Sequence, residues 1–242
     1  MKGHISTGSF DLNDWLGGGY EAGVVTMIVG PAGSGKSNFS ILAACSQARE
    51  KKVIFVDTEG GFSVERVLQI IGEKNKEKIL GNIYLLNPTN FLEQKQDFEK
   101  LRKYLKNEEV GLIVVDSISM LYRLELGEAV SSENKEKITE VNRDVAKQMR
   151  TLVEISRKRN IPILITNQVY SEFLSFEDLR NGLEKETNIV GGDLFKYWSK
   201  CIIELKNNNK RKAVLLKHRS LANREMNFEI RNEGIFKKSG LF

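Results

Sequence analysis

Short runs of apolar residues punctuate the first two-thirds of the chain, at residues 24–29 (VVTMIV), 53–56 (VIFV), 83–86 (IYLL), 112–115 (LIVV) and 161–165 (IPILI). A strand with one wet face alternates apolar and polar residues. Unbroken apolarity therefore predicts strands covered on both faces, as in a parallel sheet. Between these runs the patterning switches to a helical period, predicting helices over residues 36–50, 63–72, 90–106 and 133–159. In the last of these, Ile138, Val141, Val145, Met149, Leu152 and Ser156 recur at spacings of three and four, which puts them on one face. The alternation predicts right-handed βαβ units with helices over both faces of the sheet.

After Gly191-Gly192 the texture changes. Residues 201–205 (CIIEL), 213–216 (AVLL) and 226–230 (MNFEI), with the turn-forming Asn207-Asn208-Asn209, predict a meander of antiparallel strands. Only 3 prolines occur and no Gly/Ser/Pro-rich linker divides the chain. The expectation is one α/β domain over residues 1–242, a mostly parallel twisted sheet flanked by helices with a C-terminal antiparallel β extension.

Composition narrows this little further. With 40% hydrophobic and 29% charged residues the chain is neither disordered nor fibrous. Cys45 and Cys201 sit in apolar surroundings without CxxC spacing, which predicts small core residues rather than a disulfide framework or a zinc site. The apolar runs are too short to span a bilayer, and the first residues carry no apolar signal core, so a cytoplasmic protein is expected, without membrane contact. The net charge of +5 permits an anionic partner without requiring one.

One motif changes the picture. Gly30-Pro31-Ala32-Gly33-Ser34-Gly35-Lys36-Ser37 matches G-x-x-x-x-G-K-[ST] in full, directly after a strand and at the start of a helix. Glycines there let consecutive N–H groups turn inward as an anion-binding nest at a helix N-terminus. Lys36, expected to be exposed in the empty loop, should reach the β- and γ-phosphates, and the Ser37 hydroxyl should ligate Mg²⁺. Asp116 ends the LIVVD strand, where a carboxylate can hold the same Mg²⁺; a strand-ending Asp is otherwise a turn former or cap. Glu59, in Asp57-Thr58-Glu59-Gly60-Gly61, can polarise an attacking water, or be a solvated loop acid. Gln168, ending ITNQ, can sense the γ-phosphate and pass its presence to the following loop.

Ser6-Thr7-Gly8, Leu16-Gly17-Gly18-Gly19, Asp57-Thr58-Glu59-Gly60, LIVVDS at 112–117 and ITNQV at 165–169 occur in the order of the RecA superfamily. DTEG with ITNQV resembles the archaeal and eukaryotic recombinases in particular, and the resemblance covers nearly the whole chain. The helical domain that RadA carries ahead of its core is not seen here; a bare core of this length most resembles the RadB family, archaeal paralogues of RadA. The resemblance implies a RecA-like P-loop ATPase core, ATP and Mg²⁺ as ligands, Glu59 as water activator and Gln168 as γ-phosphate switch. It also implies Arg66, in Glu65-Arg66, as the adenine-stacking side chain, although Arg66 reads equally well as a helix-surface arginine. An accessory role in homologous recombination, DNA repair and the processing of branched DNA follows from the same resemblance.

The chain also departs from an active recombinase, whose two DNA-gripping loops are basic and glycine-rich. After Asp116 it keeps Arg123, but residues 127–135 lack the arginine-glycine pattern. After Gln168 it carries Glu172, Glu177, Asp178, Glu184 and Glu186 against Arg180 and Lys185, an acidic excess that repels DNA phosphates. No phenylalanine-based polymerisation linker precedes the core. Weak ATP hydrolysis and no strand exchange are therefore expected. Positive charge gathers instead at Lys206, Lys210, Arg211, Lys212, Lys217, Arg219 and Arg224, with Lys196 and Lys200 before them. This is either a solvated face or a phosphate-backbone surface; net charge and resemblance favour the latter, with Lys206, Lys210, Arg211, Lys212 and Arg224 contacting single-stranded or branched DNA without sequence preference. Lys217-His218-Arg219 resembles the Lys-x-Arg element that KaiC-like relatives extend to ATP on a neighbouring subunit, which would make a homo-oligomer; ordinary surface charge is the competing reading. Three function classes result: a DNA-binding recombination accessory, a KaiC-like regulatory ATPase, and an ATP-liganded module docking a RadA-type recombinase or a junction nuclease.

Overall fold

The continuous apolar runs become the middle strands of a sheet buried on both sides. A computed structural model describes residues 3–171, 187–208 and 210–238. In chain order the elements are β1 (His4–Ile5), α1 (Phe10–Trp15), β2 (Tyr20–Glu21), β3 (Val25–Gly30), α2 (Lys36–Gln47), β4 (Lys52–Asp57), α3 (Val64–Ile71), α4 (Lys76–Leu80), β5 (Ile83–Leu86) and α5 (Phe91–Asn107). They continue with β6 (Val110–Asp116), α6 (Met120–Ser131), α7 (Lys135–Arg159), β7 (Ile163–Ser171), β8 (Thr187–Ile189), α8 (Gly192–Trp198), β9 (Cys201–Asn208), β10 (Lys210–Lys217), β11 (Arg224–Arg231) and β12 (Gly234–Lys237).

The sheet runs β12-β11-β10-β9-β3-β7-β6-β4-β5, with β8 pairing β7. From β9 through β5 neighbouring strands are parallel; from β9 to β12 they are antiparallel. β9 belongs to both halves, so the C-terminal meander continues the sheet rather than hanging from it.

Alternation within each central strand feeds two cores. Ile28, Val53, Phe55, Leu112, Val114 and Leu164 face α2 and α3, while Met27, Ile54, Ile113, Val115, Ile163 and Ile165 face α5 and α7. Each such side chain contributes roughly 1.5–3 kcal/mol on leaving water, and a polar residue on either face would forfeit that. α7 buries Val141, Val145, Met149 and Leu152; Asn134 caps its start, and Asn160 closes it at φ 53. α6 was not expected. Its Leu121 and Tyr122 are buried while Leu124 and Val130 are exposed, so no single apolar stripe announces it. Cys45 and Cys201 are free and buried, and burial pushes both thiols up to about 12. Among the described residues no helix is long and apolar enough to cross a membrane.

Candidate nucleotide site and basic surfaces

Parallel strands end at one edge of the sheet, and the register brings the candidate residues there in adjacent pairs: Gly30 beside Gln168, and Asp57 beside Asp116. The loop from Gly30 opens α2, whose N-cap is Gly35 at φ 110 with no side-chain cap. The first N–H groups of a helix need an acceptor from outside it. Here they face the loop without one supplied by a cap. Gly35 is forced twice, since a Cβ there would meet Ile230 Cδ1 at 2.9 Å and its φ is left-handed.

Lys36 departs from expectation: it is only 6% exposed. Its Nζ donates to the carbonyls of Gly30 (2.9 Å) and Pro31 (3.0 Å), so the ammonium folds back over the loop's own backbone. Burial pushes its pKa below the ordinary lysine range, and the carboxylates of Glu59 and Asp116 oppose that shift.

Asp116 is 1% exposed. Thr166 donates its hydroxyl to Oδ1, and Oδ2 is buried with no hydrogen-bond partner among the described residues. Burial raises the carboxyl pKa, the Thr166 and Ser37 hydroxyls lower it, and the charges of Glu59 and Asp57 raise it further. A Cβ placed on Gly61 would lie 3.4 Å from Ser37 Oγ and 3.9 Å from Asp116 Oδ2, so both oxygens border one small space. Among the described residues no cluster of three or more His, Cys, Asp or Glu forms a closed metal cage. That donor set fits Mg²⁺ held by one hydroxyl, one carboxylate, waters and phosphate oxygens.

Sequence reading missed the supports. Asp57 accepts from the N–H groups of Glu59 (3.2 Å), Gly61 (3.1 Å) and Phe62 (2.8 Å), fixing the turn that presents Glu59. Thr58 Oγ1 donates to Ser117 O (2.7 Å) and accepts from Ser117 N (2.8 Å), across the cis Asp116–Ser117 peptide. Asn167 Nδ2 donates to Val190 O (2.8 Å), tying β7 to the chain after β8. Small polar residues packed at strand ends were the available signal.

Glu59 and Gln168 meet. Gln168 Nε2 donates to Glu59 Oε1 at 3.0 Å, joining two residues 109 positions apart. Gln168 O also accepts from Val190 N at 3.1 Å, at the root of the β7–β8 ribbon. The acidic residues singled out after Gln168, with Arg180 and Lys185, lie outside the described residues. The segment after Asp116 forms α6, with Arg123 exposed on it.

Arg66, on α3, uses its guanidinium edge as a tie. It donates to Asn38 Oδ1 (2.8 Å), Gln69 Oε1 (2.9 Å), Asn232 O (3.0 Å) and Arg231 O (2.9 Å), joining α3 to α2 and to the β11–β12 turn. Burial lowers its pKa, and the charges of Cys45 and Glu233 oppose that shift.

The basic cluster does not form one surface, because strand side chains alternate. Lys206 and Lys212 are cross-strand partners, and Lys210 shares their face. On that face Lys206 pairs with Glu204 (3.3 Å) and Lys212 with Glu225 (2.6 Å). Arg211 points to the opposite face with Ala213 and Leu215. Arg224 lies at the far end of the sheet, also on the core face, donating to Trp15 O at 3.1 Å. Lys217 and Arg219 lie at and just past the end of β10 remote from the phosphate loop, so neither reaches it within this chain. Lys217 Nζ donates to Lys196 O (2.9 Å), and Arg219 pairs with the buried Glu21, Nε to Oε2 at 3.0 Å.

Comparison with known proteins fits this geometry. A family model described as Rad51 matches residues 3–238. The chain is 40% identical over 231 residues to the DNA repair and recombination protein RadB of Methanobrevibacter smithii, covering 93% of this chain and 92% of that one. It is 37% identical over 225 residues to the RadB protein of Methanocaldococcus jannaschii, covering 93% and 98%. The crystal structure of the RadB recombinase matches with a TM-score of 0.73 at 33% identity, over 96% of this chain and 98% of that one. Agreement of sequence and fold along almost the whole length leaves one conclusion: the chain belongs to the Rad51 family, with a RecA-like core similar to that of the RadB proteins.

Proposed function

We propose that this protein is an ATP- and DNA-binding accessory of homologous recombination and DNA repair, working as one RecA-like domain. In this reading it binds MgATP, hydrolyses it slowly and exchanges no strands itself. Its cytoplasmic DNA partners are single-stranded or branched and are bound without sequence preference. The relatives named for repair and recombination support the role. The observation that carries the ATP-dependent part is the Gln168–Glu59 hydrogen bond at the phosphate edge.

ATP and Mg²⁺ would be held by the α2 N-terminus, Lys36, Ser37 and Asp116. When bound, the metal supplies charge neutralisation at the phosphate oxygens. Lys36 then exchanges its two loop carbonyls for phosphate oxygens, and Glu59 orients water and accepts its proton. Gln168 lies between that base and the β7–β8 ribbon, so a γ-phosphate drawing its amide away from Glu59 would alter both together. Arg66 would meet the adenine with its ring-like face, its edge being already engaged.

For DNA, the face carrying Lys206, Lys210 and Lys212 is the supported remnant of the basic cluster. Glu204 and Glu225 on the same face favour a second reading, a protein-docking module acting on a recombinase or nuclease. Titration of labelled single-stranded DNA over a salt series separates them, because binding through DNA phosphates weakens steeply with salt.

A further inference from the structure

Arg211 is the one residue of the basic cluster left without a role by the pleat. Its place follows from register. β9 lies parallel to β3 with Val29 beside Glu204, so Leu205 adjoins Gly30; a Cβ on Gly30 would lie 2.6 Å from Leu205 O. Arg211 pairs with Asn207, two residues further along β9, or about 7 Å beyond that contact at the usual rise per residue. It points to the α2 side, because Ala213 and Leu215, on its face of β10, belong to the same core as Phe39 of α2. On its other flank Asn227 pairs with Lys212, which sets Phe228 opposite Arg211. Phe228 Cε2 would be 3.9 Å from a Cβ on Gly35. The two strands flanking Arg211 thus touch the phosphate loop at its first glycine and at its last.

Among the described residues, two polar atoms in this neighbourhood lack partners. Arg211 Nε is buried without a hydrogen bond, and so is Ser34 Oγ, which would be 2.6 Å from the same Cβ on Gly30. An arginine buried at its Nε and left unbonded costs stability unless something completes it. Phosphate oxygens match its planar fork.

We propose that Arg211 is a nucleotide ligand within its own chain, hydrogen-bonding a phosphate oxygen of the molecule held by the 30–37 loop. The inference rests on the nucleotide reading of that loop and deepens it. It also removes Arg211 from the DNA-binding set, since its side chain lies on the opposite face from Lys206, Lys210 and Lys212.

The test is calorimetric titration of the full chain with MgATP and MgADP, using wild type, Arg211→Met, Arg211→Lys and, as reference, Lys36→Ala. Arg211→Met keeps the apolar stem and removes every donor. ATP and ADP affinity should both fall tenfold or more, while the unfolding midpoint without nucleotide stays level or rises. Arg211→Lys, which keeps charge but not the fork, should fall between. Unchanged affinity in Arg211→Met, with Lys36→Ala impaired, overturns the proposal and leaves the loop assignment standing. A lowered nucleotide-free midpoint with unchanged affinity marks Arg211 as a packing residue and also overturns it. A wild type that binds neither nucleotide overturns the loop assignment and this proposal together.

Discussion

Asp116 carries a buried carboxylate oxygen, Oδ2, that no hydrogen bond from the described residues satisfies. Burial raises the carboxyl pKa above the ordinary aspartate value. A folded pKa above the unfolded one means that this group's contribution to stability is present in acid and is lost as pH rises through the folded value. Asp116→Asn should therefore stabilise the metal-free protein near neutral pH by about 1 kcal/mol or more, measured by denaturant unfolding, while abolishing the Mg²⁺ dependence of ATP binding. Destabilisation instead would mean that the carboxylate is already compensated. Glu59→Gln should retain ATP binding and lose hydrolysis, because an amide cannot take the proton from water; Gln168→Ala should retain both binding and residual hydrolysis but lose any effect of ATP on DNA affinity. Nucleotide affinity collapsing in either variant would place those side chains in binding rather than in chemistry and switching. The two were legible singly, as a carboxylate just after β4 and an amide on β7, although β7 runs on to Ser171 rather than ending at Gln168 because Val169 to Ser171 pair with β8. Their hydrogen bond was not, because it joins positions 109 apart through strand order.

At the scale of elements, the turn after β4 stands on Asp57. Three backbone N–H groups converge on its buried carboxylate, so Asp57→Ala leaves donors unpaired and should destabilise the fold by about 2–3 kcal/mol. Hydrogen exchange should rise at residues 59–62 first; an unchanged unfolding midpoint would show that the turn holds itself. The strands β3, β4 and β6 were readable because burial on both faces writes a continuous apolar run. α6 and the two-residue strands β1 and β2 were not, since a helix without an apolar stripe and a strand pair of two residues leave no periodicity to find. Lys36 was misread for a related reason: sequence locates the lysine in the loop, but only the fold shows its ammonium turned onto the carbonyls of Gly30 and Pro31.

For the whole molecule, the sheet sets what the charges can do. Counting Lys and Arg along β9 to β11 suggested one basic surface, whereas the pleat sends Arg211 towards the phosphate loop and Arg224 against Trp15, leaving Lys206, Lys210 and Lys212 on a face shared with two glutamates. Charge placement by sequence fails here because the period of a strand is two. What remains is a modest cationic face on the sheet that carries the proposed nucleotide site, which suits weak, salt-sensitive binding of DNA backbone. The most direct test is fluorescence anisotropy of labelled single-stranded DNA over a salt series, for wild type and for the variant with Lys206, Lys210 and Lys212 all changed to alanine. Wild type should bind any sequence alike, with a log–log salt slope that flattens in the triple variant by about 0.7 for each lysine–phosphate pairing removed. Binding that is absent at low salt, or a triple variant with unchanged affinity and slope, would contradict it.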